Sequence, residues 1–400
     1  MSLEFLPPLP EPKFVSIFSA LPMSSSTKNR GLWLESHAEH PKLVDLPVPK
    51  AGAGSVVVRV LATWLPPYTA GIHDGTLSVF NLFLPLVPNP SNVGRIHEIG
   101  PDAVSLKVGD LVYTTAWIKA RDDPEITILQ GHHGGEGPGG AKLMQGEWRD
   151  GAMQQFQKVP LENVFVLDET RLCHELGYSA AELMELPVHT MAYGALCEAG
   201  NLQPGETVII GPATGTFGPA SVELALASGA NVVALGRNKA KLEGLKEQLH
   251  DHSRLRCVVM TGDVKEDADA IIDATPSKRG AELFNDWSSA TLMDPPYLQA
   301  AIRALKSEGR VVLSGAPSGN INAPYAYTMH KNIRIIGKMM CDRRGIQSTI
   351  ELISSGYFKV GSKAGAVTST FTLDQHDEAF RYAAEKGGWK NYTFMTPNSE

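Results

Sequence analysis

Between Glu206 and Arg237 the chain carries the residues best suited to hold a phosphate. Pro212-Ala-Thr-Gly-Thr-Phe-Gly218 is a glycine turn, set between the apolar run Val208–Ile210 and a stretch of helical spacing. Gly215 and Gly218 let the backbone pass close to a pyrophosphate, and a helix beginning near Phe217 points free N–H groups at that charge. A second apolar run, Val232 to Leu235, follows and ends at Gly236-Arg237. Strand, glycine turn, helix and strand in that order make the first βαβ unit of a dinucleotide-binding fold. Ala213 stands where the first glycine is usual.

The acidic residue that would bind an adenosine ribose 2′-hydroxyl is missing. Arg237 takes its place, followed by Asn238, Lys239 and Lys241. A cation there favours a 2′-phosphate, and so NADPH over NADH. A solvated surface arginine is the alternative role. The expected cofactor contacts are Ala213, Thr214, Gly215, Thr216, Phe217, Gly218, Gly236, Arg237, Asn238 and Lys241. Thr275, Gly315 and Ala316 join them at the ends of what read as later strands.

A fold must position these residues, and 400 residues suggest two domains. A hydrophobic fraction of 43% with 20% charged residues describes an ordinary globular chain. A net charge of −7 argues against a broad nucleic-acid surface. Cys173, Cys197, Cys257 and Cys341 lack paired spacing, which suggests free thiols in a reducing compartment. No apolar run is long enough to span a membrane, and the start of the chain lacks a basic-then-apolar signal pattern. A cytoplasmic location is therefore expected.

Residues 1–30, rich in Pro and Ser, read as an arm. Short strands at Ser55–Leu61, Asn92–Ile99 and after Leu106 indicate a small antiparallel barrel or sandwich in residues 31–185. Gly131 to Gly140 reads as a mobile glycine loop over a site. Residues 186–344 read as one domain in which residues 204–340 alternate strand and helix, with strands expected at 208–211, 232–235, 257–261, 270–274, 310–314 and 333–337. That is a doubly wound parallel sheet. Residues 345–400 supply a helix, a strand at Val367–Phe371 and a last helix.

The order of these pieces resembles the medium-chain dehydrogenase/reductase superfamily, in its zinc-free quinone-oxidoreductase and enoyl-reductase branch. The resemblance rests on Val56–Leu61, Asp74-Gly75, Gly94 to Val112 with its Lys107-Val-Gly-Asp-Leu-Val112, Leu186 to Gly236, Gly309 to Gly315 and His330 to Lys338. A fungal subgroup is similar at Trp148-Arg-Asp-Gly151, Pro212 to Gly218 and Met329-His-Lys-Asn332. The resemblance implies an α/β fold: a GroES-like β-barrel beside a Rossmann doubly wound sheet, with residues 345–400 returning to the barrel. Homodimers occur in the family, so one is possible here.

Departures from the family matter as much. Zinc-dependent members carry a Cys in the first barrel loop and a Gly-His-Glu segment after it. Here those places read Thr63 to Thr69 and Pro88 to Asn92, and no Cys precedes residue 173. A tetrahedral zinc site is not expected from such donors. Hydride transfer from NADPH to an activated C=C bond needs instead a polarised carbonyl and a proton. Tyr68, stiffened by Pro66 and Pro67, is the candidate proton donor; packing in a domain interface is its other possible role. Tyr193, Tyr325 and Tyr327 are further phenols, and His73 and His189 could orient substrate. The expected activity is reduction of a small apolar α,β-unsaturated carbonyl or quinone. A zinc-free carbonyl reductase or alcohol dehydrogenase, or an NADP(H)-binding protein with a non-redox biosynthetic role, are the alternatives.

Overall fold

The computed structural model describes residues 28–290, 292–293, 295–317 and 319–399. Most of the expected arm therefore lies outside the described residues, and Asn29 and Arg30 already belong to the strand Asn29–Trp33.

Six parallel strands form one sheet in the spatial order Leu255–Val259, Asn231–Gly236, Thr207–Gly211, Ala281–Asp286, Leu305–Leu313 and Arg334–Gly337. Strand order reverses between Thr207–Gly211 and Ala281–Asp286, where a crevice opens beyond the carboxyl ends. Val208, Ile209 and Ile210 are fully buried because helices cover both faces of this sheet.

The second sheet has six strands in a row, with Phe156–Pro160 pairing Ser55–Trp64 beside them. Its pairs are antiparallel except the last, Val367–Phe371 with Asn391–Met395. Phe394 pairs with Trp64, so the end of the chain is stitched to the long strand Ser55–Trp64. One apolar core runs through both sheets, from Tyr113 and Phe165 to Val222 and Ala234. No described helix is long and apolar enough to cross a membrane, and none of the four cysteines forms a disulfide.

Two expectations are corrected. Residues 270–274 are not a strand but the end of the helix Val264–Ala274; the strand falls at Ala281–Asp286. Asp263 opens that helix by accepting the N–H groups of Lys265 and Glu266 at 2.9 and 2.8 Å. Glu266 and Asp267 in the first turn complement the helix dipole. The glycine loop is also more ordered than its composition suggests. Its second half starts the helix Gly137–Gln145, with a proline in the first turn. Gly140 lies so close to the Gly134 carbonyl that a Cβ would collide with it, so this glycine serves packing.

Candidate functional site

A cavity of about 680 Å³ lies between the two sheets. That volume suits a small ligand. The parallel sheet contributes its carboxyl-end loops, Leu313 to Ala316 and Gly337 to Met340, with Phe217 and Trp287. Trp64, Pro66, Tyr68, Phe80, Tyr113 and His132 come from the other sheet and its loops. Met184, Pro187 and Met191 line the cavity from the segment leading into and along the connecting helix Leu186–Tyr193. The lining is mostly apolar, so polar groups within it are strongly felt.

The glycine turn joins Thr207–Gly211 to the helix Gly218–Ala227. Ala213 is buried and donates its N–H to Leu235 at 2.8 Å, which ties the turn to the next strand. Gly215 is exposed with open space where a Cβ would stand, while a Cβ at Gly218 would collide with the Pro212 carbonyl. No side chain caps the helix start. A close backbone approach, an open face and uncapped N–H groups are what a pyrophosphate needs. The residues present therefore fit a dinucleotide.

The other expected cofactor residues divide. Phe217 faces the cavity, stacked on Trp287 at 5.4 Å and met edge-on by Trp64 at 6.1 Å. Thr214, Gly215, Thr216 and Lys241 line a separate recess of about 380 Å³, closed by Trp389 from near the chain end. Gly236 ends its strand against Leu242. Arg237 is exposed and makes no hydrogen bond or ion pair among the described residues. The side chain of Asn238 accepts the Lys241 N–H at 3.1 Å, so it caps the helix Lys239–Gln248. Gly315 and Ala316 line the cavity.

Thr275 does not join them. It is buried at the end of the helix Val264–Ala274, beside Asn231 and Val232 at the amino ends of the strands, away from the glycine turn. The residues at the strand end are Asp286, Trp287 and Ser288. Burial pushes the Asp286 carboxyl up to about 6, partly opposed by hydrogen bonds from Ser288. Ser288 donates its hydroxyl to Asp286 at 2.5 Å, and the Tyr297 hydroxyl sits 2.5 Å from the same Oγ. Ser314 and Ala316 donate their N–H groups to the Asp286 and Ser288 carbonyls, each at 3.0 Å. This network fixes both loops at the crevice. In sequence the strand Ala281-Glu-Leu-Phe-Asn-Asp286 offers only the apolar pair Leu283-Phe284, too short a run to mark a buried strand.

Tyr68 lines the cavity, half-buried and stacked on Phe80 at 6.3 Å. Desolvation pushes its phenol well above the usual range, and its hydroxyl has no hydrogen-bond partner among the described residues. Tyr113 is a second cavity phenol, raised by burial beside Ser91, Thr190 and Thr115. Its place inside a buried strand hid it from a sequence reading. The other candidates do not reach the cavity. Tyr325 is exposed, and Tyr327 donates to the Arg303 carbonyl at 2.6 Å. His73 is buried against Phe380, and His189 lies 3.7 Å from Glu185. Tyr193 packs against the core.

Among the described residues no three His, Cys, Asp or Glu side chains are grouped to hold a metal. His133 accepts the Asn81 N–H through Nδ1 at 2.9 Å, and His132 lies against Phe80. Burial lowers His132 to about 3. Among the described residues the cavity lining holds His132 and His133 but no cysteine, a different donor set from a zinc site built on Cys and His.

Residues 217–355 match the family model described as zinc-binding dehydrogenase. An acryloyl-coenzyme A reductase of Sulfurisphaera tokodaii is 23% identical over 353 residues, covering 86% of this chain and 93% of its own. An alcohol dehydrogenase of Geobacillus stearothermophilus is 27% identical, covering 78% and 85%. Among solved structures, AibC superposes with a TM-score of 0.71 at 19% identity, over 93% of this chain and 97% of its own. The crotonyl-CoA carboxylase/reductase AntE in complex with NADP superposes with a TM-score of 0.73 at 16% identity, over 94% and 96%. The chain is therefore similar to these dehydrogenases and reductases over most of its length and shares their fold.

Proposed function

We propose that the chain is an NADPH-dependent, zinc-independent oxidoreductase that reduces a small apolar α,β-unsaturated carbonyl or a quinone. The observation that carries this reading is Tyr68, a phenol without a hydrogen-bond partner among the described residues, in an apolar cavity that also holds the strand-end loops Leu313–Ala316 and Gly337–Met340. A bound nicotinamide supplies the hydride. Arg237, without an ion pair among the described residues, takes the ribose 2′-phosphate, and the open face at Gly215 takes the pyrophosphate. The Tyr68 hydroxyl, kept protonated by desolvation, donates a hydrogen bond to the substrate carbonyl oxygen. That bond holds the negative charge that grows there as hydride reaches the β-carbon. A proton from the phenol or from water completes the enolate. Apolar walls exclude bulk water around this step.

The names of the relatives favour the enoyl side, since acryloyl-coenzyme A reductases and a crotonyl-CoA carboxylase/reductase are among them. Product analysis with NADPH tests the reading: a saturated carbonyl from an enone, or a hydroquinone from a quinone, is expected. An allylic alcohol from an enone, or tight NADPH binding without turnover on any such compound, would contradict it. A homodimer belongs to the same proposal. Arg334–Gly337 is an edge strand with Ile335 exposed, and Tyr325 and Met329 are exposed on the helix just before it.

A further inference from the structure

A second cavity, of about 770 Å³, lies behind one wall of the first. That wall is a single stretch of chain between Leu111–Thr114 and Trp117–Lys119. Tyr113 and Ala116 line the first cavity, Thr115 and Trp117 the second. The same division recurs at the turn into the helix Arg343–Ser354, with Met340 on one side and Cys341 and Asp342 on the other.

The chemistry of the second cavity is different. Lys119, Arg121, Arg343 and Arg344 line it, against Asp122, Glu162 and Asp342. Arg121 is paired with Glu162 at 2.7 and 2.9 Å. Asp342 is shared between Lys119 at 3.5 Å and Lys338 at 3.0 Å. Arg343 donates to the carbonyls of Glu162 and Val164 and lies over the Phe165 ring at 4.7 Å, and it shares with Arg121 the charge of the Glu162 carboxylate. Arg344 is exposed and has no hydrogen bond or ion pair among the described residues. The helix Arg343–Ser354 starts here with no side-chain cap. Trp117 Nε1 is a buried donor without a partner among the described residues, and the rings of Trp117, with Lys119 over it at 4.1 Å, of Trp148 and of Phe165 line the same space.

Cations in excess, an uncapped helix start, an unused donor and flat rings together suit a phosphorylated nucleotide. We propose that the second cavity binds the phosphorylated nucleotide arm of a coenzyme A-type enoyl thioester whose acyl end is reduced in the first cavity. Arg343 and Arg344 take the phosphates, and the tryptophan rings flank the base. This assignment rests on the reductase reading and narrows its substrate to a thioester class.

The test uses adenosine 3′,5′-bisphosphate, which has neither an acyl end nor a nicotinamide, titrated calorimetrically into the full chain saturated with NADPH. Saturation fills the dinucleotide site, so heat reports a separate one. Binding is expected, weakened about tenfold or more by Arg344→Glu, since that side chain holds no partner whose loss would disturb the fold. Steady-state kinetics give the second readout. Arg344→Glu is expected to lower kcat/KM about tenfold for crotonyl-CoA and to leave the crotonyl thioester of N-acetylcysteamine, which lacks the arm, unchanged. No binding to the NADPH-saturated protein, or equal losses with both thioesters, would overturn the assignment. Reduction of simple enones without bisphosphate binding removes the site and leaves the reductase. Binding lost in Arg344→Glu supports the site even where no simple enone is reduced.

Discussion

Phe217 and Trp287 stack with ring centroids 5.4 Å apart, which joins the residue before the helix Gly218–Ala227 to the first residue beyond the strand Ala281–Asp286. Trp64 adds its edge at 6.1 Å from the other sheet, and Trp287 anchors itself by donating Nε1–H to Ser221 at 2.8 Å. The three rings therefore hold the cleft together at the point where a dinucleotide would cross from the glycine turn into the cavity. Phe217→Ala removes both contacts and is expected to lower stability by about 1–3 kcal/mol. It should also remove most of the tryptophan fluorescence change on adding NADPH. Denaturant titration and fluorescence check this; an unchanged midpoint would show that the rings do not brace the cleft.

Arg237 is exposed and has no ion pair among the described residues, so its removal leaves no buried charge behind. Arg237→Ala is expected to raise the Kd for NADPH about ten- to a hundredfold, the worth of a charge-assisted contact, with that for NADH hardly changed. Equal effects on the two nucleotides, read by calorimetry, would remove the 2′-phosphate assignment.

Much of this was legible because buried parallel strands write long apolar runs. Val208–Ile210 and Val232–Leu235 fall where the sequence places them. The strand Ala281–Asp286 did not, because its carboxyl end carries a polar network, Asp286 with Ser288 and Tyr297, that only the fold assembles. The signal that should have ruled out a strand at 270–274 was Asp263 with Glu266, an acidic helix start. Tyr68 was legible beside Pro66 and Pro67, whereas Trp64, Met191 and Tyr113 look in sequence like any core residues. Arg237 and Lys241 read together as phosphate ligands, yet Lys241 lines the recess beside Thr214 and Trp389 and Arg237 lies outside that lining.

Asp286 makes a pH prediction with a definite sign. Its carboxyl is raised from 3.8 to about 6 by burial, so the folded state holds its proton more tightly than the unfolded one. The resulting stability is fully present below pH 3.8 and is lost as pH rises through about 6. At most it amounts to about 3 kcal/mol. Asp286→Asn keeps an acceptor for Ser288 and cannot ionise. The difference in unfolding free energy between the two proteins should therefore change across that window; a difference independent of pH would show that Asp286 titrates normally.

Tyr68→Phe keeps the stack on Phe80 and removes only the hydroxyl. If that hydroxyl holds the growing charge on the carbonyl oxygen, kcat with an enone should fall about a hundredfold while KM changes little. Full activity in the variant would assign the role to another group, with Tyr113 as the next phenol to replace.

The central claim is hydride transfer from NADPH to a C=C bond without a metal, on a chain whose matched family is described as zinc-binding. The most direct measurement is NADPH oxidation with an enone by protein exhaustively treated with a zinc chelator, with the product identified. The account predicts undiminished turnover to the saturated carbonyl. Activity lost on chelation and restored by zinc would contradict it.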